Sequence, residues 1–304
     1  MPREKRMKMR MDRVKKFVAN TVNQRFFYNP RFERVVEKLY YSPDRKQPCV
    51  PISATTSRYL DEFRENGVVI LPGLLPDVAD AINEQYFEVL EGKRALAPGR
   101  VMNVMDLGAR NADSGTVTTV VSYRDPLLQP LLWNPELCGL VYNYYQRQPF
   151  YRDLPTLIRN APVAKVSKQT EYSAKYHLDL FHQITFQLLV NDLTPNDTRL
   201  QYAVGSHLER RFSTDRFAYA DSEVSKRYTI KDCVGPKGTV VIMDAGAGLH
   251  RGTYVPGTVR KMVHTIITTG HSLNIYGKVD SLEGWEEYRA FPKFMQNMMK
   301  KVIV

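Results

Sequence analysis

Beyond residue 115 the chain is built from short apolar runs rich in β-branched residues, each closed by turn residues, which leaves few architectures open. TVTTVVSY (116–123), ITFQLLVN (184–191), TVVIM (239–243) and TVRKMVHTIITT (258–269) read as strands. Thr194-Pro195-Asn196-Asp197, Gly235-Pro236-Lys237-Gly238 and Ala245-Gly246-Ala247-Gly248 punctuate them. Upstream, SRYLDEFREN (57–66) reads as a capped helix ended by Gly67. VVIL follows as a short buried strand closed by Pro72-Gly73, and Pro76 opens a second helix over residues 77–91. Helices first and strands afterwards predict an α+β domain whose second half is a β-sandwich or barrel.

Charge divides the chain unevenly. The net charge is +11 over 304 residues. Fourteen Lys/Arg against five Asp/Glu fall in residues 1–50, a balance of +9, so the remaining residues carry only +2. A nucleic-acid surface would spread its basic residues over the body, and no specific nucleic-acid motif is present. Instead Met7, Met11, Val14, Val18 and Val22 recur at helical spacing among Lys5, Arg6, Lys8, Arg10, Arg13, Lys15 and Lys16. That stripe fits a helix lying on an anionic membrane surface; the plainer reading is a solvated basic arm that packs a few methionines onto the domain or stays disordered. Trp285, Tyr288, Phe291, Met295, Met298 and Val302 repeat the pattern at the other end, fitting a headgroup interface or a helix docked on the core. Seven of the eleven methionines lie in residues 1–11 and 295–299, which favours a shared contact surface with lipid or in a homo-oligomer.

The expected boundaries are a basic amphipathic extension over 1–52, one domain over 53–275 and a helical tail over 276–304. No run approaches the roughly 18 to 20 apolar residues of a membrane span, and the N-terminus lacks the apolar core of a secretory signal. Three widely spaced cysteines (Cys49, Cys138, Cys233) read as free thiols. These features predict a soluble cytoplasmic protein, peripheral on the inner face of the membrane if the basic ends bind lipid.

Of six histidines, His177 stands two residues from Asp179 just before a strand, so both side chains face one side of extended chain. A third ligand from a distant strand would complete the two-histidine, one-carboxylate set of non-haem iron oxygenases, and His250 follows a strand and a glycine-rich turn. The plainer reading of His177-x-Asp179 is a strand-end histidine bonded to its own aspartate. Arg260 falls ten residues after His250 on an apolar strand, where a buried guanidinium needs an anion, a bidentate carboxylate above all. On an exposed strand face it would need none.

His177-x-Asp179, Val204-Gly205-Ser206-His207, and His250 followed by Arg260 resemble the phytanoyl-CoA dioxygenase family of Fe(II)/2-oxoglutarate oxygenases. The opening FRENGVVILPGLL and the segment HLDLFHQITFQLLVNDLTPNDTRLQYAVGSH are similar to that family in the same order. The resemblance covers about residues 57–270 and neither tail. It implies a double-stranded β-helix, a jelly-roll or cupin-like barrel with flanking helices. It also implies His177, Asp179 and His250 as iron ligands, Arg260 on the distal carboxylate of 2-oxoglutarate, and Thr253 as a hydroxyl partner beside it. His207 would be structural, His182 would face away, and His264 would share Arg260's parity and point into the barrel. Val204 replaces the family's usual proline, Asp197-Thr198-Arg199 its usual glycine turn, and Leu178 a polar residue of some members. The retained Asp179 argues for hydroxylation, since related halogenases lack this carboxylate so that chloride can bind.

The implied activity consumes O2 and 2-oxoglutarate, yields succinate and carbon dioxide, and hydroxylates an unactivated C–H bond. The basic ends suggest a membrane-associated or lipid-linked sugar acid such as the Kdo of lipopolysaccharide, by resemblance to bacterial Kdo hydroxylases. A soluble small-molecule hydroxylase with an incidental basic arm is the alternative, followed by a non-catalytic jelly-roll binding protein.

Overall fold

The computed structural model describes residues 46–98, 102–105, 115–162, 174–179, 183–209, 219–269, 279–300 and 302–303. The chain divides into two compact units, and the one formed by Gln47–Glu209 with Ala218–Val304 holds every described residue except Lys46. The basic stripe of residues 7–22 and His182 lie outside the described residues.

The strand that organises this unit is β5 (Gln183–Leu189), buried along its whole length. Ile184, Phe186 and Leu188 enter the large apolar core, while Gln183, Thr185 and Gln187 point the other way and are 4% exposed or less. A period of two thus gives β5 one apolar and one polar face, and both are enclosed. On one side it pairs antiparallel with β8 (Val240–Asp244), which pairs with β1 (Val68–Leu71). On the other it pairs with β10 (Arg260–Thr269), which pairs with β4 (Pro149–Asn160). On the edge of β4 away from β10, the short strands β3 (Val117–Val120) and β2 (Asn103–Met105) extend the sheet at one end, and β12 (Val302–Ile303), itself paired with β11 (Val279–Asp280), runs parallel to β4 at the other end. A second, three-stranded antiparallel sheet runs β7 (Ile230–Cys233), β6 (Arg199–Ala203), β9 (His250–Thr253).

Helices cover the apolar face of the large sheet. Leu60 and Phe63 of α1 (Ala54–Asn66), Ile82 of α2 (Pro76–Ile82) and Leu137, Leu140 and Val141 of α3 (Pro135–Tyr145) join Phe186, Ile242 and Val263 in one core. The opposite face meets the smaller sheet, where Val68, Val241 and Met243 pack with Leu200, Tyr202 and Cys233. The result is mixed helix and antiparallel sheet in layers.

The strands at 184–191, 239–243 and 258–269 and the helix stop at Gly67 lie where the sequence puts them, within two residues. Four expectations need correction. Helix α1 begins at Ala54 and not Ser57, because Ser53 Oγ accepts from the Thr56 amide at 3.1 Å and is itself held by Glu136 of α3 at 2.8 Å. The second helix widens into a π-turn over Asn83–Phe87, which brings the successive aromatics Tyr86 and Phe87 both into the core. Helices do not all precede strands: α3, capped by Asn134 with Pro135 at its first position, sits between β3 and β4. The tail is not one helix either. A 3₁₀ turn (Glu286–Ala290), α4 (Lys293–Met299) and β12 follow one another, broken at Pro292, and Tyr288, Met295, Met298 and Met299 belong to the main core. Those methionines are docked on the core as the plainer of the two readings expects. No helix among the described residues is long and apolar enough to cross a membrane.

Gly67 ends α1 with φ +74°, and a Cβ there would lie 2.4 Å from both His207 Nδ1 and the Tyr202 hydroxyl. Gly67→Ala therefore combines left-handed strain with a clash against two buried rings. The expected loss is about 2–4 kcal/mol of unfolding free energy, read as a lowered midpoint in urea.

Candidate metal centre

His177 and His250 come from segments 73 residues apart in sequence, and a backbone bridge joins them. The His177 amide donates to the His250 carbonyl at 3.0 Å and the reverse bond is 3.1 Å. Asp179 is fixed two residues on, its amide donating to Ala245 O at 2.8 Å beyond the end of β8. His177, Asp179 and His250 thereby offer three ligand atoms that all lie within 4.8 Å of one another. The His177 and His250 Nε2 atoms lie 3.8 and 3.5 Å from the two Asp179 oxygens.

Backbone carbonyls fix both imidazoles. His177 Nδ1 bonds Lys175 O at 2.8 Å and His250 Nδ1 bonds Gly248 O at 3.1 Å. A carbonyl accepts only from N–H, so each Nδ1 carries a proton and each Nε2 faces inward, where its lone pair would serve a metal. Gln183 Nε2 donates to Asp179 Oδ2 at 2.9 Å and orients the carboxylate. Burial, with His250 beside it, pushes the His177 imidazole down to about 4. Burial works against charge at Asp179 and His250 too, but their mutual attraction outweighs it, lowering the carboxyl and raising the imidazole. This is a metal-binding donor set: two nitrogens and one carboxylate aimed at one point, the imidazoles buried and the carboxylate partly open to solvent.

Flanking residues hold the ligand strands from behind. Arg251 stacks over the Tyr176 ring at 4.7 Å, donates to Gln201 Oε1 at 2.8 Å and pairs with Asp221, so the neighbours of both histidines are clamped together on the outer side. Ser206 Oγ accepts from the Leu249 amide at 2.8 Å, immediately before His250. His207 Nε2 bonds Arg64 O at 3.0 Å, a tie between the smaller sheet and α1, so this histidine is placed structurally.

Arg260 opens β10 and is 5% exposed. Its Nε and Nη2 donate to Asn160 Oδ1 at 3.1 and 2.9 Å. Nη1 is buried with no partner, and among the described residues no carboxylate pairs with the guanidinium. Such a group costs several kcal/mol to bury unless an anion meets it, roughly the penalty of an uncompensated charge. Thr253 is engaged elsewhere: its hydroxyl donates to Arg199 O at 3.2 Å and accepts from the Arg199 amide at 3.3 Å. His264 shares Arg260's side of β10, opposite Gln187 of β5, and has an unpartnered Nδ1. Burial pushes it down to about 4, against the pull of Asp179.

Gln183, Ser206 and Asn160 escaped sequence reasoning as supports. Gln183 left a signal, a polar residue four after Asp179 on a β-branched strand. Asn160 left none, since its partner is 100 residues away.

No protein-family model matches the chain, and no curated protein does. Solved structures do. EctD from S. alaskensis with 2-oxoglutarate and 5-hydroxyectoine aligns at TM-score 0.51 and 15% identity, over 72% of this chain and 77% of that one. The same protein with bound Fe aligns at 0.50 and 16%, over 72% and 78%. SnoK, a non-heme alpha-ketoglutarate-dependent carbocyclase from nogalamycin biosynthesis, aligns at 0.47 and 18%, over 70% and 83%. With EctD, what is shared is the fold. The histidine–aspartate–histidine group is formed by this chain's own residues.

Two outcomes test the geometry. Ser206→Ala leaves the Leu249 amide unpaired in a buried position, costing about 1–3 kcal/mol of stability, and weakens metal binding about 10- to 100-fold as a loosened ligand support does. A metal titration beside a urea melt reads both. For pH, His177 and His264 are held near 4 in the fold against 6.5 unfolded. As pH falls from 6.5 to 4 the unfolded chain takes up protons the folded one refuses, so metal-free protein loses stability across that window. His250, raised, acts in the opposite sense and is outnumbered. The urea midpoint of metal-free protein falls on acidification.

Proposed function

We propose that this chain is an Fe(II)- and 2-oxoglutarate-dependent oxygenase with a double-stranded β-helix core, and that it hydroxylates an unactivated C–H bond of an organic substrate. The donor set fits iron: two neutral imidazole nitrogens and one carboxylate, from His177, Asp179 and His250, bind one side of the ion and leave other positions for co-substrate and oxygen. Zinc would accept the same three groups. The observation that favours the 2-oxoglutarate reading is Arg260, a buried guanidinium with a free Nη1 on the sheet face that also carries Gln183, the partner of Asp179. A dicarboxylate can satisfy both ends at once.

When bound, iron and 2-oxoglutarate supply the oxidising power, with succinate and carbon dioxide as co-products. The chain's residues do the rest. Backbone-fixed histidines hold the metal, Gln183 keeps Asp179 turned toward it, Arg260 braced by Asn160 seats the distal carboxylate, and the enclosed polar face limits water. Among the described residues nothing selects a lipid-linked sugar acid over another organic substrate, because the C-terminal methionines serve the core.

Anaerobic protein titrated with Fe(II) and 2-oxoglutarate is expected to show the weak visible charge-transfer band of the chelate. His177→Ala and Asp179→Ala abolish it, and Arg260→Ala needs roughly 100-fold more 2-oxoglutarate, the scale of a broken buried ion pair. Folded, iron-loaded wild type without any band would sink the oxygenase reading.

A further inference from the structure

The inner face of β10 carries Arg260, Met262, His264, Ile266 and Thr268 in alternation, and β5 lays Leu189, Gln187, Thr185 and Gln183 opposite the last four. Arg260 stands at one end of this row and Gln183, bonded to Asp179, at the other. His264 lies between them, beside Gln187 on β5 and Thr156 on β4. Its ring feels Asp179, Arg260 and His250 together, so it sits within electrostatic reach of the metal ligands and of the guanidinium. Three buried polar atoms on this inner face lack partners: Arg260 Nη1, His264 Nδ1 and Thr185 Oγ1. Buried polar atoms in a well-packed sheet are rarely left unmatched, and three on one enclosed face point to a ligand with several acceptor oxygens.

We propose that His264 is a second 2-oxoglutarate-binding residue, donating a ring N–H to an oxygen of the co-substrate between Arg260 and the metal. The inference rests on the oxygenase reading above. It adds to that reading a neutral donor of this chain's own, which contacts the dicarboxylate between its metal end and its Arg260 end and so restrains rotation about the axis joining them. A histidine serves here because a donor beside Arg260 that carried its own positive charge would repel the guanidinium.

The test uses full-length Fe(II) protein under anaerobic conditions and reads 2-oxoglutarate affinity from the charge-transfer band. Mn(II) binding, followed by electron paramagnetic resonance, reports the metal site separately. His264→Leu is expected to weaken 2-oxoglutarate binding by about tenfold or more, as for loss of a hydrogen bond to a charged group. Mn(II) binding stays at the wild-type value. His264→Asn and His264→Gln place an amide N–H near Nδ1 and Nε2 respectively, and one of them recovers most of the affinity. Pyruvate, which lacks the distal carboxylate, separates two supporting outcomes: a parallel loss puts the bond at the metal end, and a loss confined to 2-oxoglutarate puts it at the Arg260 end. Equal 2-oxoglutarate affinity in wild type and His264→Leu overturns the proposal while leaving the oxygenase reading intact. Should His264→Leu also lose Mn(II), the amide pair decides: wild-type affinity in both overturns the proposal, and a weakened one beside a restored one supports it. Absence of the band in wild type defeats both readings at once.

Discussion

Everything in this unit depends on β5 being enclosed on both faces while only one of its own faces is apolar. Helices α1, α2 and α3 seal Ile184, Phe186 and Leu188 from water, which supplies the packing energy. The reverse face then carries Gln183, Thr185 and Gln187 into an enclosed space where each polar atom needs a partner. Gln183 has found Asp179, and Thr185 Oγ1 has found none. The cost of the polar face is borne by the core behind it, and the chemistry occupies the space so created.

The second constraint is the pair of hydrogen bonds between His177 and His250. Side chains at strand ends ordinarily have freedom to splay, yet here backbone pairing fixes Cα positions and the carbonyls of Lys175 and Gly248 fix ring rotation. The outer clamp of Arg251 on Tyr176 repeats the restraint one residue away on the opposite face. A site built this way is positioned before any ligand arrives, which lowers the ordering cost of binding.

Much of this was legible in the chain. Strand alternation located β5, β8 and β10, and His177 and Asp179 two apart, with His250 after a glycine-rich turn, offered the three groups that the fold brings together. Local signals also placed Gly67, whose positive φ only glycine tolerates easily. What stayed hidden was non-local. The true cap of α1 involves Glu136, 83 residues on, and no window of sequence shows it. Helix α3 carried a readable Asn134-Pro135 start but lay between strands, where an order of helices then strands had no place for it. At the C-terminus an approximate helical stripe concealed a break at Pro292, since periodicity describes which residues are buried together and not whether one element buries them. Thr253 bonds Arg199, 54 residues away, a pairing that no local signal shows.

The irregularity in β4 has a bearing on how such a chain tolerates change in length. Between the pairs His264–Thr156 and Ile266–Arg152, β10 spends one residue and β4 three, with Asp153 at φ +59°. The two extra residues preserve parity, so β4 absorbs the mismatch while β10 runs unbroken against β5 from Met262 to Thr268. A change of two residues in β4 at this point would therefore leave its side-chain alternation intact. A single residue lost from β10 between Arg260 and His264 would instead turn one of that pair outward toward the helices, so its spacing is held by arithmetic as much as by chemistry.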